Sequence, residues 1–403
     1  KSSFFSENIK IIKNKKDFFI EGQINNKDTI LSEELLKLLN INISNIEFSN
    51  TNFNSENKFS FLIDKKFKVK NLAIDSNIQV NESDYKIPII LNKFFNIKNN
   101  TVKIKEHNIK SNYKNNNLVI NGSGKIKVNK NFDYLEYSVD LKDEDIVLKS
   151  KLILSEFKLN SQEYLKDFIP ELNENIILKD QKIKINFDNR KLQVKGEGKV
   201  KFESYFEDIK FNVSKIENKF NFNSQIDLKE TLLKIDFLDF KNNNKLKTQI
   251  KISGNYNTED SLHLKDLSII NKDNKLIIRN IFLDQENLIE KIDEANLEFF
   301  DSQDKKNKVL LKKINDNEYQ INGLVFNADK LIDNLLDNKK NNNSKLFKSD
   351  FKLTLNIKEV YLDSKNIINN LIGKLNIKNN EIHTSDISGD FDNQNNFKFT
   401  VNT

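Results

Sequence analysis

The sequence predicts a mainly β protein whose strands pair in one long antiparallel sheet. Residues 191–202 show why, because apolar residues and glycine occupy the even positions and Lys, Gln or Glu occupies the odd ones. Such a period of two is typical of a strand with one dry and one wet face. Strands of a parallel sheet are buried on both faces and read as continuous apolar runs, so the alternation favours antiparallel pairing.

The same alternation recurs along most of the chain. It is found in residues 118–128, 183–187, 220–228, 246–252, 351–357 and 397–401. The only prolines are Pro88 and Pro170, which is compatible with long unbroken strand ladders. At the usual five to eight residues per strand, we expect about twenty strands.

Helical periodicity is confined to three short segments. The sequence predicts helices over residues 33–39, 162–168 and 329–336. Ser32 and Ser161 can cap the first two, and Pro170 ends the second. Asn327 or Asp329 can cap the third. No linker rich in Gly, Ser or Pro divides the chain, so we expect one continuous array.

Composition excludes several classes of site but does not indicate the cellular compartment. The 403 residues include no Met and no Cys, so we expect a segment of a longer protein without disulfides or thiolate sites. No apolar run approaches the ~20 residues that span a bilayer, and no signal peptide is recognisable. The net charge of +6 comes from an excess of Lys, and it bears on solubility before function.

A search for catalytic residues finds none, and we predict that the chain is not an enzyme and needs no metal or cofactor. His107, His263 and His383 lack metal-ligand spacing and read as solvated or edge histidines. The pair Asp143 and Glu144 has the chemistry for acid–base work, but nothing predicts a pocket that would shift its pKa values. No G-x-S-x-G or Walker motif is present.

Two glycine pairs, Gly122 with Gly124 and Gly196 with Gly198, have similar settings on the apolar face of alternating strands. A G-x-G that binds nucleotide must be followed by a helix, whereas here a strand continues. We therefore predict a bulge or bend where the sheet curves and a side chain would crowd.

Nucleic-acid binding is disfavoured although Lys and Phe interleave throughout. Stacking platforms need aromatic and basic residues on the same exposed face. The alternation places Phe220 and Phe222 on one face of their strand and Lys219 on the other. Base readout favours Arg, which occurs only at Arg190 and Arg279.

The apolar face is the remaining candidate for function, and it permits two interpretations. It is either the dry core between two packed sheets, or the floor of an elongated groove formed by one long, curved, twisted sheet. The scarcity of tight hairpin turns and the absence of Trp and Cys landmarks favour the groove. The candidate lining residues share an uninterrupted alternation and are Leu192, Val194, Val200, Phe202, Phe220, Phe222, Ile250, Ile252, Phe351, Leu353, Leu355 and Ile357.

An ordered series of segments in the second half resembles the AsmA-like superfamily, and within it the YhdP-like branch. The series begins with LKETLLKIDFL at 228–238, a strand ending ISG at 252–254, LKDLSII at 264–270 and the strand 275–283. YQING at 319–323 then leads into FNADKLI at 326–332, which is similar to the family's step from strand to helix. Residues 351–362, IINNLIGKL at 367–375 and DISGDF at 386–391 complete it.

The resemblance implies a β-groove region over residues 118–403, with residues 1–117 as its N-terminal part. It implies a periplasmic segment, anchored to the inner membrane by a part of the protein outside this chain, that conducts phospholipids toward the outer membrane. Its partners would be phospholipid acyl chains and, through parts beyond this segment, the two membranes. The alternative is a structural, adhesive or outer-membrane-assembly β protein whose apolar core is sealed.

Overall fold

A computed structural model confirms a mainly β chain in which 22 strands belong to one long mixed sheet and two more form a separate short hairpin. Those counts refer to the residues that the structure describes. They are 3–31, 47–86, 101–128, 130–143, 145–161, 165–166, 168–242, 246–257, 262–286, 288–330, 347–363, 365–378, 381–391 and 395–402.

The chain divides into two units, and the first comprises Lys1–Asn160 and Glu174–Val200. Its strands are β1 Ser3–Lys13, β2 Asp17–Ile30, β3 Glu47–Asp64, β4 Val69–Lys86, β5 Thr101–Lys114, β6 Asn117–Lys127, β7 Asp133–Lys142, β8 Asp145–Asn160, β9 Asn175–Asp188 and β10 Lys191–Lys201. From β1 to β9 each strand pairs antiparallel with the next, and β10 pairs with β9. The register places like residues opposite one another, such as Ile120 and Val139.

The second unit comprises Ser161–Asn173 and Lys201–Thr403. Its strands are β11 Phe206–Ile216, β12 Lys219–Leu228, β13 Lys234–Ile235, β14 Phe240–Lys241, β15 Thr248–Asn257, β16 Leu262–Ile270, β17 Lys275–Leu283, β18 Ile289–Phe300, β19 Lys306–Asn315, β20 Glu318–Asn327, β21 Phe351–Tyr361, β22 Ile367–Lys378, β23 Glu381–Phe391 and β24 Asn395–Asn402. The hairpin β13–β14, with the short 3₁₀ helix Asp236–Leu238 between its strands, is inserted between β12 and β15, which pair with each other.

Among the strand pairs whose register the structure describes, one differs from the predicted antiparallel order. β20 and β21 run parallel, with Tyr319 opposite Leu353 and Ile321 opposite Leu355. A parallel pair needs a connection of a dozen or more residues, and the interval from β20 to β21, residues 328–350, is long enough. Alternation does not report strand direction when both strands keep one wet face, which is why the pattern did not indicate this pair.

The predicted helices fall largely outside the described residues. The segment 33–39 lies wholly outside them. Of 162–168, residues 165–166 form a 3₁₀ turn, and of 329–336, Asp329 and Lys330 are helical. The rest of the third segment, residues 331–336, lies outside the described residues, and the 3₁₀ helix Asp236–Leu238 was not predicted.

Strands β5–β8 and β9–β12 are two copies of one four-strand element. β5 and β6 correspond to β9 and β10 by a constant shift of 74 positions, from 101 to 175 and from 117 to 191. Gly122 and Gly124 correspond in this way to Gly196 and Gly198, and Leu154 corresponds to Leu228.

The copies share their irregularities as well as their strands. Glu106 in β5 and Asp180 in β9 both adopt the left-handed conformation, with φ of 54° and 52°. In each copy the next side chain, His107 or Gln181, lies over Gly124 or Gly198, where a Cβ atom would overlap it. The predicted bulge is confirmed beside Gly122 and Gly124, because the β5–β6 register shifts between Lys105 and Asn108.

Candidate functional site

The twelve residues predicted to line a groove differ in burial according to their place along the strand. Val200, Phe202 and Ile357 are buried, at 1%, 8% and 4% exposure. The other nine are half-buried: Leu192, Val194, Phe220, Phe222, Ile250, Ile252, Phe351, Leu353 and Leu355. Within β10, half-buried Val194 and buried Val200 belong to the same alternating set of residues. The apolar faces are thus covered in places and partly open elsewhere.

The strand register brings several of these residues together within the second unit. Phe220 in β12 pairs with Tyr256 in β15, and their ring centroids lie 6.4 Å apart. Ile250 pairs with Ile226 on one side and with Ile269 on the other. A second group forms at β21, where Leu353 lies between Tyr319 of β20 and Leu375 of β22. Both groups extend an apolar surface across neighbouring strands.

Burial in the second unit concentrates at one end of the strands. Leu228 ends β12 and is 1% exposed, and Phe299 near the end of β18 is fully buried. The inserted hairpin packs there, since Phe240 of β14 contacts Phe299 edge to face with ring centroids 5.9 Å apart. Another buried cluster, Ala328, Ile357, Val360, Ile368 and Leu371, forms near the ends of β20 and β21 and the start of β22. These residues form a covered margin. Away from it most apolar side chains of the second unit are half-buried or exposed, and Ile281, Ala295 and Tyr319 are buried exceptions.

Polar side chains fix the inserted segment at this covered margin. The fully buried Glu207 carboxylate accepts hydrogen bonds from the backbone N–H groups of Lys229, Glu230 and Thr231, at 2.8, 3.0 and 2.8 Å. Asn242 accepts from the N–H of Leu233 at 2.8 Å and donates to the carbonyl of Thr231 at 3.1 Å. Buried backbone groups of a non-strand segment are thereby satisfied.

A second polar network lies between the ends of β18 and β20. Asn327 Nδ2 donates to Asp301 Oδ2 at 2.7 Å, and Asn307 Nδ2 donates to the same oxygen at 3.2 Å. Asn307 Oδ1 in turn accepts from the N–H of Asn327 at 2.6 Å. Neither network was predicted from the sequence, because Asn and Asp are abundant in every loop and nothing local distinguishes a buried one.

Glu203, which follows β10, has a raised pKa. The cause is first its burial and then the charges of Glu171 and Glu207, while backbone N–H groups of Leu232 and Glu171 act in the opposite direction. These contacts hold the carboxyl between residues 171 and 232. Among the described residues, no group of three or more His, Asp or Glu side chains is placed to hold a metal ion.

The three histidines are dispersed, and His107 is not the solvated or edge residue that we expected. It is 2% exposed, and its Nε2 donates to the carbonyl of Lys125 at 3.0 Å. Burial lowers its pKa, and the hydrogen bond opposes that shift. His263 stacks on Phe282 at 4.0 Å between ring centroids, and Asn255 and Asn280 lie at its two ring nitrogens. Of the pair Asp143 and Glu144, Glu144 lies outside the described residues.

The predicted separation of Lys from aromatic rings is incomplete. Lys215 pairs across β11–β12 with Phe220, and its Nζ lies 5.3 Å from the ring centroid. Lys105 and Lys127 approach the ring of Phe132 at 5.9 and 5.6 Å, and Lys291 approaches Phe282 at 5.0 Å. The reason is that a lysine of one strand can share a face with an aromatic residue of its neighbour, which alternation within a single strand does not reveal.

No helix among the described residues is both long and apolar enough to cross a bilayer. Comparison with known proteins finds no match to this chain among protein-family models, curated proteins or solved structures. The similarity to the AsmA-like superfamily therefore stays a prediction.

Proposed function

We propose that the apolar faces of the sheet bind phospholipid acyl chains, and that the chain conducts phospholipids along them toward the outer membrane. In this proposal it is a periplasmic segment, anchored to the inner membrane by a part of the protein outside this sequence, as the AsmA-like resemblance implies. No catalytic residue and no cofactor takes part. The lipid path would be formed by the half-buried residues that the alternation selected, such as Val194 and Phe222.

The observation that carries the proposal is the half-buried state of apolar side chains in the middle of the strands. An apolar face covered by a second packed layer would bury these positions, as Phe299 is buried where Phe240 of the inserted hairpin packs on it. Partly exposed apolar surface beside a dry margin is available to another apolar molecule. An acyl chain leaves water with a gain of ~0.8 kcal/mol per CH₂, so such a surface lowers the cost of moving a lipid through an aqueous compartment.

The face also has the low specificity that lipid conduction requires. Leu353, Leu355, Ile250 and Ile252 offer only hydrocarbon to a ligand, and hydrocarbon contacts do not select among acyl chains of similar shape. The free energy of lipid binding would come from apolar surface removed from water, at roughly 25 cal/mol per Å². The alternative is a structural, adhesive or outer-membrane-assembly β protein whose apolar core is sealed. A charge placed on the apolar face distinguishes lipid conduction from this alternative.

The test replaces two residues of one face of one strand. Val194→Asp changes a half-buried position, and Val200→Asp changes a position that is 1% exposed. We expect Val194→Asp to lower the free energy of unfolding by roughly 0.5–3 kcal/mol and to reduce lipid transfer between vesicles more than tenfold. Val200→Asp places an unpaired charge in a packed site, so it should unfold its surroundings.

Photo-crosslinking locates the lipid. A crosslinking amino acid at Val194 or Phe222 should capture phospholipid in cells, whereas the same group at exposed Lys195 should capture little. If Val194→Asp is as damaging to the fold as Val200→Asp and neither Val194 nor Phe222 crosslinks lipid, the face is sealed and the proposal is wrong. Mass spectrometry of lipid that co-purifies with the parent chain provides an independent measurement.

A further inference from the structure

The turn between β3 and β4 exposes a phenylalanine in an unfavourable backbone conformation. Phe67 is 87% exposed, and its φ is 57°. In the described part of the chain, every other non-glycine residue with positive φ except Glu106 and Glu217 is Asn or Asp, which tolerate this region better than other residues. The turn therefore presents a large apolar side chain to solvent at a position where Asn would be the ordinary choice.

Hydrogen bonds to Asp64 hold this turn in place. The Asp64 carboxylate accepts from the N–H groups of Lys66 and Lys68, at 2.9 and 3.0 Å, and it pairs with Lys70 at 2.9 Å. The N–H of Phe67 donates to the Asp64 carbonyl at 2.9 Å. The hydrogen bond from Lys70, together with those from the backbone N–H groups, holds the pKa of Asp64 below its usual range. The turn is a defined structure that displays Phe67.

Lysines surround Phe67 on its own turn and on the neighbouring one. Lys65, Lys66, Lys68 and Lys70 are exposed. The register of β2 and β3 places Asp17 opposite Asp64, so the turn between β1 and β2 lies beside it. That turn adds the exposed lysines Lys13, Lys15 and Lys16. Within the described part of the chain, Lys70 is the member of this set that forms an ion pair.

The apolar face is exposed where it reaches these two turns. Phe18 pairs with Ile63, and Ile63 pairs with Val69, so the three residues lie on one face at the ends of β2, β3 and β4. Phe18 is 41% exposed and Val69 is 55% exposed. We call Phe18, Val69, Phe67 and the seven lysines of the two turns the basic-aromatic edge.

We propose that the basic-aromatic edge docks on an anionic phospholipid surface. Seven lysines against two aspartates give the charge that attracts such a surface, and lysine stems can lie along hydrocarbon while their ammonium groups remain at the headgroups. Phe67, Val69 and Phe18 can enter the boundary between headgroups and acyl chains. A folded protein partner would require shape complementarity around Phe67, and a nucleic acid would require aromatic rings stacked along a strand, which a single projecting ring does not provide.

This docking goes beyond lipid conduction along the face, and either can be true without the other. The measurement is co-sedimentation of the whole chain with vesicles of phosphatidylcholine alone or mixed with phosphatidylglycerol. We expect binding to the mixed vesicles, loss of binding as salt shortens the screening length, and little binding to phosphatidylcholine alone. Lipid transfer is measured separately, with Val194→Asp as the variant that impairs it.

Two variants of the edge and two matched controls decide the question. Phe67→Asn should weaken binding about tenfold, because the variant no longer buries the Phe67 ring in the membrane. The triple change Lys65→Glu, Lys66→Glu and Lys68→Glu should weaken it at least ~100-fold. Phe132→Ala removes an exposed ring elsewhere in the same unit, and Lys149→Glu with Lys151→Glu reverses exposed charges on β8. Both controls should bind like the parent.

Thermal unfolding separates docking from a structural role. Asn suits a positive φ, so Phe67→Asn should leave the melting temperature unchanged or raise it while binding falls. A lower melting temperature would assign Phe67 to stability and overturn the proposal. Equal loss of binding in the Phe132 or Lys149/Lys151 controls would overturn it too, as would binding of single-stranded DNA that matches vesicle binding and is insensitive to Phe67→Asn.

Discussion

Replacing His107 with Gln should remove an acid sensitivity that its burial creates. The folded chain binds the His107 proton less tightly than the unfolded chain, because burial lowers the pKa of the imidazole. Below the unfolded pKa of about 6.5, the unfolded state therefore holds more protons, and stability falls as the pH falls toward and through the folded pKa. Above that range the effect vanishes.

The magnitude has an upper limit set by one proton. A histidine that stays neutral in the folded state costs at most ~1.4 kcal/mol of stability one pH unit below its unfolded pKa, and ~1.4 kcal/mol more for each further unit. Gln is the matched replacement, since Gln181 occupies the equivalent position in β9 and donates from Nε2 to the carbonyl of Lys199 at 2.7 Å. His107→Gln should retain the bond to Lys125 and lose the titration, so its stability at pH 7.5 should stay within about 1 kcal/mol of the parent.

Hydrogen exchange provides a local assay for this effect. Peptides from β5 and β6 should lose protection between pH 6.5 and 5.5 in the parent, after correction with the exchange of the same peptides unfolded. His107→Gln should abolish that extra loss. Gln181→His is the reciprocal control and should create it in β9 and β10. An unchanged acid loss in His107→Gln, or no gain in Gln181→His, would refute the reasoning from burial.

Three further predictions concern stability. Gly124→Ala should destabilise the chain by ~1–3 kcal/mol, because its Cβ would overlap the His107 ring and backbone, and chemical unfolding measures the loss. Phe240→Ala should cost ~3–5 kcal/mol, because the side chain is fully buried against Phe299; Phe237→Ala, at a neighbouring exposed residue, should cost little in the same melting experiment. Glu203→Gln should stabilise the chain at pH 7. Since the Glu203 pKa is raised above 4.5, the parent loses stability as the pH rises through the interval from 4.5 to the folded pKa, and a pH series of melting temperatures should be flatter in the variant. A Glu203→Gln chain that melts below the parent at pH 7 would contradict that sign.

Strand positions could be predicted from the sequence because a period of two is a local property. β10 illustrates this, since its bounds, Lys191–Lys201, lie within the alternating segment 191–202. The bulges also have a local signal. Along a regular strand one face carries only even-numbered or only odd-numbered residues, and at a bulge this parity changes. In β9 the covered face passes from the even residues Ile176 and Leu178 to the odd residues Gln181 and Ile183, and the extra residue that changes the parity is Asp180. Counting parity along β5 would likewise have placed His107 on the inner face.

The covered margin could not be predicted in this way. Phe240 and Phe299 are far apart in sequence, and the segment around Phe240 has neither strand nor helix periodicity over a useful length. Its burial results from packing on the ends of distant strands, held by Glu207 and Asn242. The parallel pairing of β20 with β21 is likewise non-local, since nothing in the alternation of either strand specifies the direction of its partner.

The two copies of the four-strand element separate what packing requires from what the open face requires. At buried positions the copies keep either the residue, as with Leu154 and Leu228, or the hydrogen bond, as with His107 and Gln181. At half-buried positions of the face the copies differ within the apolar class, with Leu148 corresponding to Phe222 and Ile120 to Val194. A close-packed interior is sensitive to a change from Leu to Phe, because added volume forces neighbours to move. A surface that contacts a fluid acyl chain needs only to be apolar, and this tolerance is what the proposed lipid path predicts for its lining residues.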